Sequence, residues 1–446
     1  MKSYVLLLLM LYAAAHPFVD SHARAEEGSA NGPKPVPVTR PEMKVALESL
    51  KLRAPRLPLP PLSPEEIAAG RSSVNNGRMR SLYLPAEWSS SRSSSTPGER
   101  PVGERRGFDQ SGTVDATFKV WLFWIVSRAN NCHYCMGHQE LKLRGAGMTD
   151  DELAGLDCDW SKYPIHQRVA MELARKMTNT PHLISDSDID VLRPYYSAEQ
   201  IVEIVLAVAR YNSTNRWTDS LGIPQDQKFS DRDATIDTPT SDRFTNVVSE
   251  VAPLNLSNRP PLESRAEVDS IWQSTRTRKA RLPIADDETV AKTQPEEGDH
   301  PPYPNWVRAF AITDSRNVTA LRAMASTGRI PAKLKAMIAW CAARENRAWY
   351  SAHLAKQWLN ELGLDDAAVF RLDMTDGSVS ASEREALSFA RKLTSTPQRI
   401  DDSDIARLRK HFEDGEVAEI VYVVCQANMF DRFTEVFALP LDCNQE

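Results

Sequence analysis

The chain has 446 residues, with 54 Lys and Arg against 60 Asp and Glu, a formal net charge of -6. At roughly 100–200 residues per domain, two or three domains are expected, and the mild acidity gives no electrostatic case for a nucleic-acid partner. A hydrophobic content of 41% excludes wholesale disorder, and six cysteines are too few for a disulfide-dense scaffold of this size.

The N-terminus reads as an export signal. Lys2 is followed by the apolar run 5–15, and Ala23-Arg24-Ala25 offers a small-residue cleavage site, so residues 1–25 are expected to be a signal peptide. The alternative is an uncleaved membrane anchor. Export implies a periplasmic or extracellular protein in an oxidising compartment.

Beyond the signal the chain is a tandem repeat. Residues 174–193 and 390–409 agree at 13 of 20 positions, against roughly one expected by chance. Ile201, Ile204, Val205 and Val208 then correspond to Val417, Ile420, Val421 and Val424, and Asn212, Arg216 and Pro224 to Asn428, Arg432 and Pro440. Upstream, the stretch from Arg53 to Leu59 matches that from Arg278 to Ile284. The predicted organisation is a first helical repeat over 26–225 with its core at 113–225, a polar linker over 226–262, and a second, degenerate repeat over 263–446 with its core at 303–441. Ile201, Ile204, Val205, Val208 and Ala209 fall on one helix face. Ser197 with Gln200, and Ser185 with Asp188, make capping boxes, and Thr180-Pro181 and Thr396-Pro397 punctuate the gap after the preceding helix in each repeat. No period-2 alternation is sustained, so the fold class is all-α.

The chemistry concentrates in Asn131-Cys132-His133-Tyr134-Cys135-Met136-Gly137-His138. A helix over 115–129 should stop near Asn130-Asn131, with Asn131 the N-cap of a new helix beginning at Cys132. A thiol in that first turn feels the positive end of the helix dipole, which favours thiolate. Cys135 lies one turn on, within reach of a disulfide, so the pair reads as an attacking and a resolving thiol. His133 and His138 are candidate proton shuttles. Two other readings stand beside this one: a permanent structural disulfide, and a zinc site, for which a second half is missing. A c-type haem site is excluded by Met136, where histidine is required. No cofactor or metal is expected.

Asn-Cys-x-Tyr-Cys after a helix break, with a nearby histidine and the later run from Asn212 to Pro224, resembles the carboxymuconolactone decarboxylase and alkylhydroperoxidase D-like superfamily. The resemblance covers about 115–225 and 332–441. It implies two tandem repeats of an all-α fold that oligomerises, and a dithiol that reduces a peroxide or disulfide substrate with electrons from a thiol reductant. There the second cysteine attacks and the first resolves, which would make Cys135 the attacker. The helix dipole instead favours Cys132 as the more acidic thiol, and the assignment stays open. Two positions depart from the family pattern: Gln139 stands where its histidine commonly lies, and Val120 where its peroxidases carry a glutamate, the nearest acid being Asp115. A non-catalytic helical scaffold with a structural disulfide is the alternative function. A lactone decarboxylase is a third, although that chemistry would not require the pair.

Pairing His138 with His353 aligns the second repeat without a gap: Asn131 faces Asn346, Cys132 faces Arg347, Tyr134 faces Trp349 and Cys135 faces Tyr350. That repeat holds no dithiol and reads as a scaffold or built-in partner. The retained histidine also gives His138 a structural reading. Lys335, Arg344 and Arg347 read as a modified pocket or a solvated face. Cys341, Cys425, Trp121 and Trp124 are expected in the core, and Cys158 nearer the surface.

Overall fold

The computed structural model describes residues 34–68, 74–88, 112–225, 247–253, 260–293, 301–374 and 379–442. The export signal and Cys443 lie outside them. Nineteen α-helices and no strand occur among the described residues, so the all-α expectation holds. None of these helices is long and apolar enough to cross a membrane.

In the first repeat the helices are α1 (Arg40–Leu50), α2 (Pro64–Ala68), α3 (Asn76–Tyr83), α4 (Ala116–Ala129), α5 (His133–Gly145), α6 (Asp150–Cys158), α7 (Ile165–Asn179), α8 (Asp186–Asp190) and α9 (Ala198–Ser220). The second repeat follows with α10 (Arg265–Thr277), α11 (Asp287–Thr293), α12 (Asn305–Ala311), α13 (Arg316–Ser326), α14 (Ala332–Asn346), α15 (Trp349–Glu361), α16 (Asp366–Arg371), α17 (Ala381–Ser395), α18 (Asp402–Leu408) and α19 (Asp414–Phe437). Both capping boxes expected in the first repeat form, at Ser185 with Asp188 and at Ser197 with Gln200.

The long helices α9 and α19 make the most extensive helix pair. The stripe Ile201, Ile204, Val205, Val208 and Ala209 is buried as expected, but Val202, Leu206 and Ala207 on the other face are buried too. A helix covered on both faces loses its one-sided pattern; here α4, α5 and α7 take one side and α19 the other.

Polar contacts across this pair are exchanged two by two. Arg216 donates to the Thr394 carbonyl at 3.2 Å, and its counterpart Arg432 to the Thr178 carbonyl at 3.0 Å. Arg56 donates to Asp402 at 2.6 Å, and Arg281 to Asp186 at 2.6 Å. Each of the latter two arginines also holds a carbonyl at the end of its own long helix, Asp219 O for Arg56 and Glu435 O for Arg281, both at 2.9 Å. Cations suit the negative ends of helices. The duplication has therefore enclosed a two-fold interface within one chain.

A constant spacing of 216 relates the two cores. Trp124 donates to Asp157, and Trp340 to Asp373. Arg128 pairs with Asp157, and Arg344 with Asp373. Glu203 accepts from the Thr113 and Val114 amides, and Glu419 from those of Arg329 and Ile330. Arg344 and Lys335 are thus neither a solvated face nor a pocket lining: both are buried, Arg344 against Asp373 and Glu263, Lys335 on the Thr327 carbonyl. Arg347 is buried too, paired with Glu263 at 2.5 Å. Cys341, Cys425 and Trp124 are core residues, and Trp121 packs against the core.

Replacing Arg432 with Met removes charge-assisted bonds to buried carbonyls and is expected to cost about 2–3 kcal/mol. Urea denaturation followed by far-UV circular dichroism measures it. Arg216→Met should cost a similar amount, and unchanged midpoints for both variants would contradict the paired arrangement.

Candidate active site

The site is built at the turn between α4 and α5. Asn130 ends α4, and Asn131 takes a left-handed conformation with φ of 53°. Asparagine tolerates this region better than most residues. The reversal lets the Cys132 amide reach back to the Ser127 carbonyl at 2.9 Å, closing the helix end. Cys132 is then itself the N-cap of α5, and its Sγ accepts from the Cys135 amide at 3.4 Å. This corrects the expected start of the helix by one residue. Asn131 points elsewhere, donating to the Pro35 carbonyl at 3.0 Å while its Oδ1 lies 3.0 Å from His133 Nε2.

The turn is bound to α9 by buried side chains. Asn130 Nδ2 donates to Asn212 Oδ1 at 3.0 Å and Asn215 Oδ1 at 3.1 Å, and Asn215 Nδ2 donates to Ser127 Oγ at 3.1 Å. One turn further along α9, Thr218 Oγ1 lies 3.3 Å from Cys132 Sγ and 3.3 Å from Cys135 Sγ. Both cysteines are free thiols, 0% and 2% exposed.

An extended segment ahead of α1 forms a strap over the turn, with Asn131 and Arg128 donating to the Pro35 and Pro37 carbonyls. Lys34 Nζ donates to Asp219 Oδ1 at 2.5 Å and to the Asn131 carbonyl at 2.6 Å. Arg53 stands 3.7 Å from the same carboxylate. Asp219 Oδ2 is buried and has no hydrogen-bond partner among the described residues. Thr218, Asp219, Lys34 and Arg53 were not legible as site residues. Lys34 lies 97 residues before Asn131, so no local spacing connects them, whereas Thr218 and Asp219 sit within the run from Asn212 to Pro224 that carries the family resemblance.

Burial pushes the Cys132 thiol well above its ordinary value; the Cys135 thiol and the Asp219 carboxylate add to this, and Lys34 opposes it. The reduced Cys132 therefore rests as a thiol. Burial also holds His133 well below the usual imidazole range, reinforced by Lys34 and Arg53. It is a neutral ring near the strap rather than a cation facing the thiols. His138 is half-buried, with Nδ1 2.9 Å from the Tyr134 carbonyl and 3.4 Å from Gln225 Nε2. Its ring lies 4.3 Å from that of Tyr134. Gln139 is buried, Val120 is in the core, and Asp115 caps α4 through the Phe118 amide. Among the described residues no group of three or more His, Cys, Asp or Glu side chains gathers as a metal site.

The second repeat shows what the first has added. The spacing of 216 holds through the turn, so the alignment on His138 and His353 is one residue out. Arg347, not Asn346, takes the left-handed position, with φ of 52°. The Ala348 amide returns to Ala343 O at 2.9 Å, as that of Cys132 does to Ser127 O. Ser351 Oγ lies 3.0 Å from Thr434 Oγ1, as Cys135 does from Thr218. The counterparts of Cys132 and Cys135 are therefore Ala348 and Ser351. His353 faces Gly137 in this alignment, so it gives no support to a structural role for His138; it packs edge-on to Trp272 instead. Asp431 replaces Asn215 in the carboxamide cluster, and burial pushes it up to about 7.

A larger cavity of about 500 Å³ opens elsewhere, lined by Asp157, Cys158, Trp160, Arg168 and Val251. Cys158 is pushed up to about 11, by burial first and then by Asp157 and Asp159, which makes it a poor nucleophile.

No family model matches the chain. An uncharacterized protein of Bacillus subtilis (strain 168), YdfG, is 26% identical over 130 residues, covering 28% of this chain and 87% of that protein. Among solved structures, the debrominase Bmp8 in complex with 2,3,4-tribromopyrrole aligns over 41% of this chain and 90% of that one, at 14% identity and a TM-score of 0.29. The same debrominase in its apo form aligns over 42% and 94%, at 13% identity and a TM-score of 0.28.

The alignment of the two turns is testable. Ala348→Cys with Ser351→Cys should create a second oxidisable pair, seen as a further loss of two hydrogens by intact-mass spectrometry after mild oxidation. Arg347→Cys with Tyr350→Cys should give none. The opposite result would restore the alignment on the histidines.

Proposed function

We propose that this protein is a dithiol oxidoreductase in which Cys132 and Cys135 cycle between two thiols and a disulfide, reducing a peroxide or disulfide substrate. The observation that carries the reading is the convergence of two free, buried thiols on one hydroxyl, that of Thr218, at the first turn of a helix. With a hydroperoxide the electrons balance as follows. One thiolate attacks the terminal, hydroxyl-bearing oxygen, the O–O bond breaks and the alkoxide takes up the thiol's proton and leaves as an alcohol, so the sulfur becomes a sulfenic acid. The second thiol then attacks that sulfur, an S–S bond forms and water leaves. A thiol reductant restores the pair by exchange.

The N-cap geometry supports Cys132 as the resolving thiol. Its sulfur receives the Cys135 amide hydrogen, which stabilises it as a leaving thiolate when a reductant attacks the sulfur of Cys135. Cys135 would then be the peroxide-attacking residue, in the order the family resemblance implies. Burial of both sulfurs supports a small substrate over a folded protein disulfide. His133 and His138, on the same helix as Cys135, would act as supporting residues. Export through residues 1–25 would put the cycle in the periplasm or outside the cell.

Consumption of hydrogen peroxide or cumene hydroperoxide with dithiothreitol as reductant tests the reading. Cys135→Ser should lower turnover at least ~100-fold. With glutathione in place of dithiothreitol, whose second thiol would free Cys135 by cyclising, Cys132→Ser should form no intramolecular disulfide and accumulate a mixed disulfide at Cys135. Unchanged turnover in either variant would overturn it.

A further inference from the structure

The dithiol needs a group that takes the thiol proton and returns it to the leaving oxygen. The glutamate expected at position 120 is absent, and the neutral His133 bonds Asn131. We infer that the buried Lys34–Asp219 ion pair, set against the turn that carries the thiols, is this proton relay. The inference rests on the proposed dithiol chemistry.

Three observations carry it. Asp219 directly follows Thr218, whose hydroxyl touches both sulfurs. The side chain of Asp219 is 5% exposed; Lys34 holds one of its oxygens, and the other is buried without a partner among the described residues, open to a proton. Lys34 bonds at the same time to the carbonyl of Asn131, the residue before Cys132. A buried, unpaired carboxylate oxygen costs free energy, and a catalytic role is one reason for such a group to be kept.

The charges balance. At rest the site holds an ammonium, a carboxylate and a thiol. Transfer of the thiol proton to Asp219 leaves an ammonium, a neutral acid and a thiolate, so one ion pair is exchanged for another and no net charge is created in the interior. Burial holds the Cys132 thiol protonated at rest, and the Cys135 thiol and an ionised Asp219 add to it. When the O–O bond breaks, Asp219 returns its proton to the departing alkoxide. Arg53 faces the same carboxylate from beyond α1, and Arg56 binds the Asp219 carbonyl, so the acid stays oriented in both states. The second repeat lacks the same arrangement: Glu435 replaces Asp219 and is bonded by the Trp349 amide at 2.7 Å and by Arg278 at 3.3 Å.

The experiment reads thiol ionisation directly, so it does not depend on the substrate. The pH dependence of iodoacetamide alkylation of the reduced full-length protein is followed by mass spectrometry, beside peroxide turnover. Lys34→Met should move the alkylation midpoint of the pair up by about one pH unit, because the cation that favours thiolate is gone. Asp219→Asn should move it down by about one unit yet lower turnover about 100-fold or more, because the proton acceptor is lost. A merely structural role would not shift the two charge variants in opposite directions. If both midpoints stay in place, the relay is overturned while the dithiol reading stands. If they shift oppositely but Asp219→Asn keeps the wild-type turnover, the ion pair only tunes the thiols and the relay is overturned while the dithiol reading stands; if the wild-type protein turns over no peroxide, the peroxide reading fails and the relay fails with it. Should Asp219→Asn fail to fold, the Lys34→Met midpoint alone decides, and no upward shift overturns the proposal.

Discussion

The geometry of the site depends on one buried polar clamp. Asn130 binds Asn212 and Asn215 across the gap between α4 and α9, and Asn215 closes the circuit on Ser127. Desolvated amides are costly unless their partners are in place, so this cluster sets both the end of α4 and its height on α9. The left-handed Asn131 and the N-cap at Cys132 follow from that end, and Thr218 falls beneath both sulfurs because it lies one turn beyond the clamp. The chemistry inherits its geometry from an amide network that itself does no chemistry.

The clamp is duplicated; the chemistry is not. Asn346 bonds Asn428 and Asp431 in the second repeat just as Asn130 bonds its partners. The two long helices meet along the apolar faces that each repeat presents, and Arg216 and Arg432 exchange carbonyls across the join. What differs is a handful of side chains on a common frame. Alanine and serine stand for the two cysteines, and Arg347, anchored to Glu263, stands for Asn131. The second repeat supplies the other half of the interface and braces the end of α9, which carries Asp219, through Asp402 on Arg56.

Much of the fold was legible in the sequence, because helix signals are local. Capping boxes at Ser185 and Ser197, the apolar stripe on α9 and the internal repeat each require only neighbouring residues or self-comparison. The dithiol was legible for the same reason. The strap was not: Lys34 reaches Asp219 over 185 residues, and no periodicity records that. The alignment of the second turn misled for a physical reason. A shared histidine is a weaker constraint than backbone geometry, and the left-handed residue, which fixes the true alignment, carries no single residue type; it is Asn131 in one repeat and Arg347 in the other.

The central claim is that Cys132 and Cys135 form a cycling pair rather than a permanent crosslink. A redox titration of the full-length protein in dithiothreitol buffers, with free thiols trapped by alkylation and counted by intact mass, tests it most directly. The account predicts a reduction potential for this couple above about -300 mV, within reach of a cellular thiol reductant. A potential well below about -300 mV would mark a structural bond and contradict it.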